Sequence, residues 1–258
     1  MNIARIRGMD MKTLLVTIAI GDTYLQTYNT LFRKSQEVYA SQHGYDFKVI
    51  TTFLDENRIN HAKGAISFNK ILVCSQDWSN QYDFILFIDA DILIHEDAPP
   101  LHSFIDYGDC IGIVDEYSQP TLEKRIALQK QMGWETSGTD YYKLAGFDIV
   151  TNKVLNTGVL VLQPKKHADF LKQIYDKHVE TSKHHPRGYH YEQSCIGYEL
   201  MKNNKFVVLP NPFNAVWALQ KMDLGTTCTL DEFFKNNYFT HFAGNCDFAK
   251  IPYLRRSD

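Results

Sequence analysis

The sequence has no Cys-x-x-Cys pair, no Asn-x-Ser/Thr site, no Gly/Ser- or Pro-rich linker and no internal repeat. No apolar run approaches the ~18 residues that cross a bilayer. Each absence narrows the reading. The cysteines Cys74, Cys110, Cys195, Cys228 and Cys246 are odd in number and widely spaced. They give neither a disulfide scaffold nor a zinc ribbon, and read as free thiols in a reducing compartment. A cytoplasmic location is expected. Net charge is −3 over 258 residues, so the basic excess of phosphate-backbone binders is missing and nucleic acid is not an expected partner. At 44% hydrophobic and 22% charged, the chain is not of the disordered class. With no linker to divide it, one domain over residues 12–258 is expected, after a frayed extension at 1–11. Residues 12–20 sit where a signal peptide would, but the apolar stretch is short and runs into Gly21-Asp22. It reads as a core strand turning into a helix.

Strand-like and helix-like runs then alternate. Leu14 to Ile20 suits a strand buried on both faces. Thr23 to His43 carries Leu25, Tyr28, Leu31, Phe32, Val38 and Tyr39 on one helical stripe, and Gly44 ends it. Tyr45 to Thr51 reads as a strand, Gly64 to Trp78 as a helix, and Asp83 to Ile88 as the most apolar strand of the chain. Later come strands at Cys110 to Val114, Thr157 to Leu162, Phe206 to Leu209 and Tyr238 to Phe242, with helices at Lys166 to Val179 and Glu192 to Met201. Such alternation implies an α/β fold: a mixed, mostly parallel sheet flanked by helices, with ligands beyond the carboxyl ends of its strands. Two polar stretches, 133–143 and the basic 183–190, read as loops.

Chemistry concentrates at the strand ends. In Phe87-Ile88-Asp89-Ala90-Asp91, two carboxylates stand where a buried strand emerges. Burying both unpaired is costly and they repel each other, so a cation belongs between them. Hard divalent ions such as Mn²⁺ and Mg²⁺ take carboxylate oxygens and bridge phosphates. Haloacid-dehalogenase phosphatases also use Asp-x-Asp, but on the first strand and with a later Gly-Asp-x-x-x-Asp that this chain lacks. His241, ending a late strand before Gly244, can add a nitrogen ligand, and Gly244 lets backbone approach a phosphate. Asn156-Thr157-Gly158 can aim polar groups at sugar hydroxyls or simply form a turn. Glu192-Gln193 opens a helix, where capping is the ordinary use of such residues. Lys70 precedes the Asp-x-Asp strand and either faces it or is solvated.

This order of motifs, from Thr17-Ile18-Ala19-Ile20-Gly21 through Phe68-Asn69-Lys70, Asp89-Ala90-Asp91, Asn156-Thr157-Gly158 and Glu192-Gln193 to His241-x-x-Gly244, resembles the GT-A fold glycosyltransferases. The nearest likeness is to the galactosyl-, mannosyl- and xylosyltransferase group, with glycogenin-like transferases as more distant relatives. The resemblance implies a single Rossmann-like GT-A domain with a nucleotide-binding half at about 12–115 and an acceptor half at about 116–258. It implies transfer of a hexose or pentose from a nucleotide diphosphate sugar, UDP by family weight, to a glycan or glycoprotein acceptor. Asp89, Asp91 and His241 would bind Mn²⁺, or Mg²⁺. Ala19, Gly21 and Tyr24 would line the nucleoside site, Ala90 would lie within the metal motif, and Lys70 and Gly244 would lie near the diphosphate. Asn156 and Gly158 would meet the donor sugar or acceptor, with Glu192 and Gln193 flanking the reacting carbon. Glycogenin-like enzymes carry a lysine three residues after the glycine of His-x-x-Gly; this chain has Asp247 there, with Lys250 nearest.

Retention of anomeric configuration is expected from the Glu192-Gln193 pair; inversion would need Glu192 or Asp148 as base. Trp134, Tyr141, Tyr142 and the loop around Arg187 are expected to serve the acceptor. The remaining alternatives are a sugar nucleotidyltransferase, for which the first strand lacks a Gly-rich basic loop, and a non-catalytic sugar-binding domain.

Overall fold

The computed structural model describes residues 11–58, 64–180, 191–223 and 225–254. The basic stretch around Arg187 and most of the N-terminal extension lie outside them. In chain order the elements are β1 (Thr13–Ile18), α1 (Asp22–Leu31), α2 (Arg33–Gln42), β2 (Asp46–Ile50), α3 (Gly64–Leu72), β3 (Phe84–Ile88), β4 (Ile92–Ile94), β5 (Ile111–Asp115), α4 (Leu122–Met132), α5 (Gly138–Leu144), β6 (Leu155–Leu162), α6 (Pro164–His178), α7 (Tyr191–Lys202), β7 (Phe206–Leu209), β8 (Ala215–Val216), α8 (Trp217–Met222), α9 (Leu230–Lys235) and β9 (Phe239–His241). No helix among the described residues is long and apolar enough to cross a membrane.

Six strands form the main sheet in the order β2-β1-β3-β6-β5-β7. β1 runs parallel to β2 and β3, β5 runs parallel to β7, and β6 is antiparallel to both its neighbours. The sheet is therefore mixed and mostly parallel, as the alternation implied. Its central strands alternate between two cores. Leu14, Val16, Ile85, Phe87, Leu160 and Leu162 pack with α3, α6 and α7. Leu15, Leu86, Ile88, Val159 and Val161 face the opposite way, toward Tyr39 of α2, Phe213 and Phe239. Side chains that alternate at period two, all buried, account for continuous apolar runs with no polar face. A second sheet, β4-β9-β8, packs beside the first.

Two expected helices are interrupted. The single stripe over 23–43 is two helices that meet at Phe32, where φ is −114° and ψ −40°. Its ring packs against Phe242 and Phe248, which sets the bend. The expected helix over 64–78 ends as α-helix at Leu72 and continues as short 3₁₀ turns. There the Ser79 hydroxyl bonds the Cys74 and Gln76 carbonyls at 2.7 and 2.6 Å. Gly44 ends α2 as expected, at φ +67°. Residues 133–143 are not an irregular loop: Gly133 closes α4, and Ser137 caps α5 by accepting from the Asp140 amide.

Candidate active site

The carboxyl ends of β3, β5 and β9, the amino end of β6 and the first turn of α7 meet around one cavity of about 880 Å³, a size typical of small-molecule sites. Tyr24, Lys70, Asp89, Ala90, Asp91, Asn156, Glu192, Gln193, His241 and Gly244 all line it. Three other candidates do not line it: Ala19 and Gly158 are buried behind its wall, and Gly21 is exposed. Ala19 is packed into the core with Tyr28 and Phe242, and Gly21 starts α1 at φ +95°. Gly158 lies against the His241 ring, which a β-carbon there would meet at 2.7 Å.

The acidic pair is held by backbone pairing. Asp89 donates its amide to the Gly158 carbonyl at 2.8 Å, fixing the end of β3 against β6. β4 then pairs antiparallel with β9, Ile92 opposite His241, and the Phe242 amide donates to the Asp91 carbonyl at 2.9 Å. Gln36, fully buried, donates its side-chain amide to the Ile92 carbonyl at 3.1 Å and so ties this turn to α2. In consequence one ligand atom each from Asp89, Asp91 and His241 lies within 4.8 Å of the others, a group that can hold a metal ion.

Hydrogen bonding fixes the imidazole tautomer. The Glu116 carboxylate can only accept, so Asn156 Nδ2 donates to its Oε2 at 2.8 Å. Asn156 Oδ1 then accepts from the Gly158 amide at 2.9 Å and from Asn214 Nδ2 at 2.7 Å. That leaves Asn214 Oδ1 to accept from His241 Nδ1 at 2.9 Å. His241 Nε2 faces Asp91 Oδ1 at 3.3 Å. An imidazole whose far nitrogen is held as a donor presents its other nitrogen to a cation.

Lys70 stands among the acids and is 4% exposed. Its ammonium is 3.0 Å from Asp89 Oδ1 and 2.8 Å from Glu192 Oε1, which also accepts from the Thr157 hydroxyl at 2.9 Å. Burial alone would lower the Lys70 pKa, but Asp89 and Glu192 outweigh it and raise it. Burial would raise Glu192, yet Lys70 holds it below the usual carboxylate range. Asp89 is pushed up by burial, with Lys70 pulling the other way. Asp91 is held down by the His241 ring despite burial, and His241 is correspondingly raised by Asp91. Burial and the two aspartates together raise the Tyr24 phenol. With His241 neutral, Asp89, Asp91 and Glu192 oppose three negative charges to the one positive charge of Lys70. The two left over match one divalent cation, and two carboxylates with an imidazole are a donor set that suits Mn²⁺ or Mg²⁺.

Beyond Glu192 the wall is a further polar network around Glu116, which no sequence motif marked. Gln193 Nε2 donates to Glu116 Oε2 at 3.4 Å and to the Tyr141 hydroxyl at 3.3 Å, and Arg125 Nη2 donates to Glu116 Oε1 at 2.9 Å. Glu116 follows β5 directly, so the strand-end rule that singled out Asp89 applied to it equally. Arg125, Gln129 and Asn214 carried no signal.

Several expectations are corrected. Asp148 is exposed and outside the cavity, which removes it as a candidate base. Tyr142 is fully buried in a core cluster with Tyr117 and Val154, so it does not reach an acceptor. Tyr141 is also buried and meets the cavity only at its wall, whereas Trp134 lines it and is partly exposed. At the position of the missing lysine, Asp247 accepts from Trp217 Nε1 at 2.9 Å and pairs with Lys221 at 3.0 Å and Lys250 at 3.4 Å.

Comparison with known proteins bears on the fold and the family. No curated protein sequence matches the chain. Among solved structures, a glycosyltransferase involved in glycosylation of the major capsid of PBCV-1 superposes with a TM-score of 0.59 at 17% identity, over 94% of this chain and 98% of that one. The galactosyltransferase LgtC, solved with donor and acceptor sugar analogues, superposes with a TM-score of 0.58 at 16% identity, over 93% of this chain and 94% of that one. At such identities the likeness carries the fold. The family comes from the glycosyl transferase family 8 profile, which matches residues 7–246. Those residues include every strand and the whole of the Asp89, Asp91 and His241 group, and the chain belongs to glycosyl transferase family 8: it is a glycosyltransferase with the GT-A fold.

Proposed function

We propose that the protein transfers a hexose or pentose from a UDP-sugar to a glycan or glycoprotein acceptor, with retention, using Mn²⁺ held by Asp89, Asp91 and His241. Mg²⁺ is the alternative ion. The observation that carries this reading is the Asp-Asp-His group opening on the same cavity as the Lys70–Glu192 pair. When bound, the cation supplies Lewis-acid stabilisation of charge on the departing nucleoside diphosphate. The chain does the rest. Gly244, at φ +71° on the cavity wall, offers backbone free of a side chain to the diphosphate. Lys70 holds Asp89 and Glu192 in fixed orientation, and Glu192 then orients the donor sugar. Gln193, its amide nitrogen committed to Glu116 and Tyr141, stabilises positive charge developing on the sugar ring.

In the retaining step, the bond between the anomeric carbon and the diphosphate oxygen breaks. The acceptor oxygen bonds to that carbon from the same face, and its proton passes to the departing phosphate oxygen. An ion-paired Glu192 with lowered basicity is a poor general base, which argues against inversion. Residues of about 12–115 form the nucleotide-binding half and about 116–258 the acceptor half, which also lends Glu192, Gln193, His241 and Gly244 to the donor. Free thiols at all five cysteines fit a reducing, cytoplasmic setting.

The test is release of UDP from a panel of UDP-sugars with Mn²⁺ and with excess EDTA, in the native protein and in Asp91→Ala. Release by the native protein with Mn²⁺, lost in EDTA and in the variant, is the expected result. Undiminished release in EDTA would refute the reading.

A further inference from the structure

Five buried side-chain atoms among the described residues find no hydrogen-bond partner: Thr17 Oγ1, Thr240 Oγ1, Arg125 Nε, Arg125 Nη1 and Gln129 Oε1. Three of the five belong to residues one helical turn apart on α4, and both of these residues line the cavity. Buried polar groups are nearly always paired, so three orphans on one turn of a cavity wall call for a ligand that supplies their partners.

The two side chains are held ready. Arg125 is 5% exposed, donates from Nη2 to Glu116 and lies over the Tyr117 ring, 4.8 Å from its centroid. Gln129 is 1% exposed and donates from Nε2 to the Tyr117 hydroxyl at 3.2 Å and to the Glu135 carbonyl at 2.8 Å, which commits its nitrogen and turns Oε1 away from both. The Gln129 carbonyl accepts from the Trp134 amide at 2.8 Å, so Trp134 is anchored beside it on the same wall. Hydrogen bonds through Glu116 and Asn156 connect this turn to Asn214 and His241.

We infer that Arg125 and Gln129, with Trp134, form a subsite for a neutral sugar ring of the acceptor. The inference rests on the transferase reading of the cavity and deepens it by naming the acceptor's class. A sugar hydroxyl both donates and accepts, so adjacent hydroxyls on one ring satisfy the two guanidinium donors and the Gln129 oxygen together. The apolar face of the ring suits Trp134. An anionic group fits worse, because Gln129 Oε1 is an acceptor and the Glu116 carboxylate already occupies the guanidinium. The single hydroxyl of a serine or threonine side chain leaves orphans unpaired.

Methyl glycosides of galactose, glucose, mannose and xylose, methyl glucuronide and a serine-containing hexapeptide are titrated by saturation-transfer NMR, with and without UDP and Mn²⁺. The proteins are the native chain, Gln129→Leu and Arg125→Lys. Arg125→Lys keeps a cation opposite Glu116 and removes the two unpaired donors. At least one neutral glycoside binds the native chain, and each variant weakens it about tenfold. If Gln129→Leu does not fold, Arg125→Lys decides. The subsite is overturned if no neutral glycoside binds the native chain, if the glucuronide or the peptide binds more tightly than every neutral glycoside, or if the variants bind as the native chain does. Glycoside binding without UDP binding overturns only the donor reading; UDP binding without glycoside binding overturns only the subsite.

Discussion

Gly158 lies directly against His241: a β-carbon at position 158 would stand 2.7 Å from Cε1 and 2.8 Å from Nδ1 of the imidazole, and 3.0 Å from Asn156 Oδ1. The glycine of the Asn156-Thr157-Gly158 motif therefore makes room for the ring rather than lining the cavity. Gly158→Ala must displace His241 or shift the end of β6, and either breaks the bond from His241 Nδ1 to Asn214. Because second ligand contacts of this kind typically govern ~10–100-fold in metal affinity, calorimetric titration with Mn²⁺ should show a loss of that order while the fold survives. Superimposable titrations would show that the ring yields without cost.

Lys70 is the only ammonium reaching the part-buried Asp89 and the buried Glu192 among the ion pairs seen in the described residues. Removing one partner from a buried ion network costs about 3–5 kcal/mol. Lys70→Ala should therefore lower the thermal midpoint by on the order of 10 °C at this chain length. Adding Glu192→Gln should recover part of the loss, since one stranded charge is gone. Simple additivity of the two losses in melting experiments would contradict the pairing.

How much of this was legible follows from which signals are local. The apolar run of Phe84–Ile88 ending in Asp89 and Asp91 needs no tertiary knowledge, and neither does His241 at the end of a short strand. The mixed, mostly parallel sheet implied by strand-helix alternation is likewise local in origin, whereas its strand order is not. The break at Phe32 was invisible because no Gly or Pro marks it; contacts with Phe242 and Phe248, more than two hundred residues away, make it. Tyr142 read as a loop aromatic because its burial depends on a distant helix: a β-carbon on Gly197 of α7 would collide with its hydroxyl. Arg125 and Gln129 sit in a helix whose apolar residues, Leu122, Ile126, Leu128 and Met132, form no single stripe, so nothing local distinguishes the two from solvated residues. Only packing against Tyr117 buries them.

His167 makes a pH-dependent contribution to stability. It is buried, its Nδ1 accepts from the Gln163 amide at 3.0 Å and its Nε2 faces the Asp109 carbonyl at 3.3 Å, so the neutral ring is fully used. Burial pushes its pKa down to about 4, below the ~6.5 of an unfolded histidine. As pH falls the unfolded chain takes the proton first, so stability declines from about pH 6.5 to about pH 4 and this loss is complete below that. The difference corresponds to about 3 kcal/mol at most. Thermal midpoints of the native protein and His167→Gln, compared at pH 7 and pH 4.5, should show the native protein losing more. Parallel declines would place the acid sensitivity elsewhere.

The anomeric outcome distinguishes two uses of Glu192. As a general base it would take the acceptor's proton on the face opposite the leaving group, and such help is typically worth ~10²–10⁴-fold. A base needs affinity for that proton, and Glu192 has little: Lys70 at 2.8 Å and the Thr157 hydroxyl at 2.9 Å both act on Oε1 and favour the ionised form. Protonating it would also leave Lys70 with one partner fewer in a buried site. The arrangement suits a fixed charge that orients the donor sugar, with the departing phosphate as the proton's destination. Gln193, a weak nucleophile, stands beside it with its nitrogen bound to Glu116 and Tyr141. The product formed from an α-linked UDP-sugar, its anomeric configuration read by proton NMR, should therefore be the α-glycoside. Gln193→Ala should lower kcat about 10²–10³-fold, the range expected when one electrostatic contact in the transition state is removed, without changing that configuration. A β-linked first product would transfer the base role to Glu192 and overturn the same-face route.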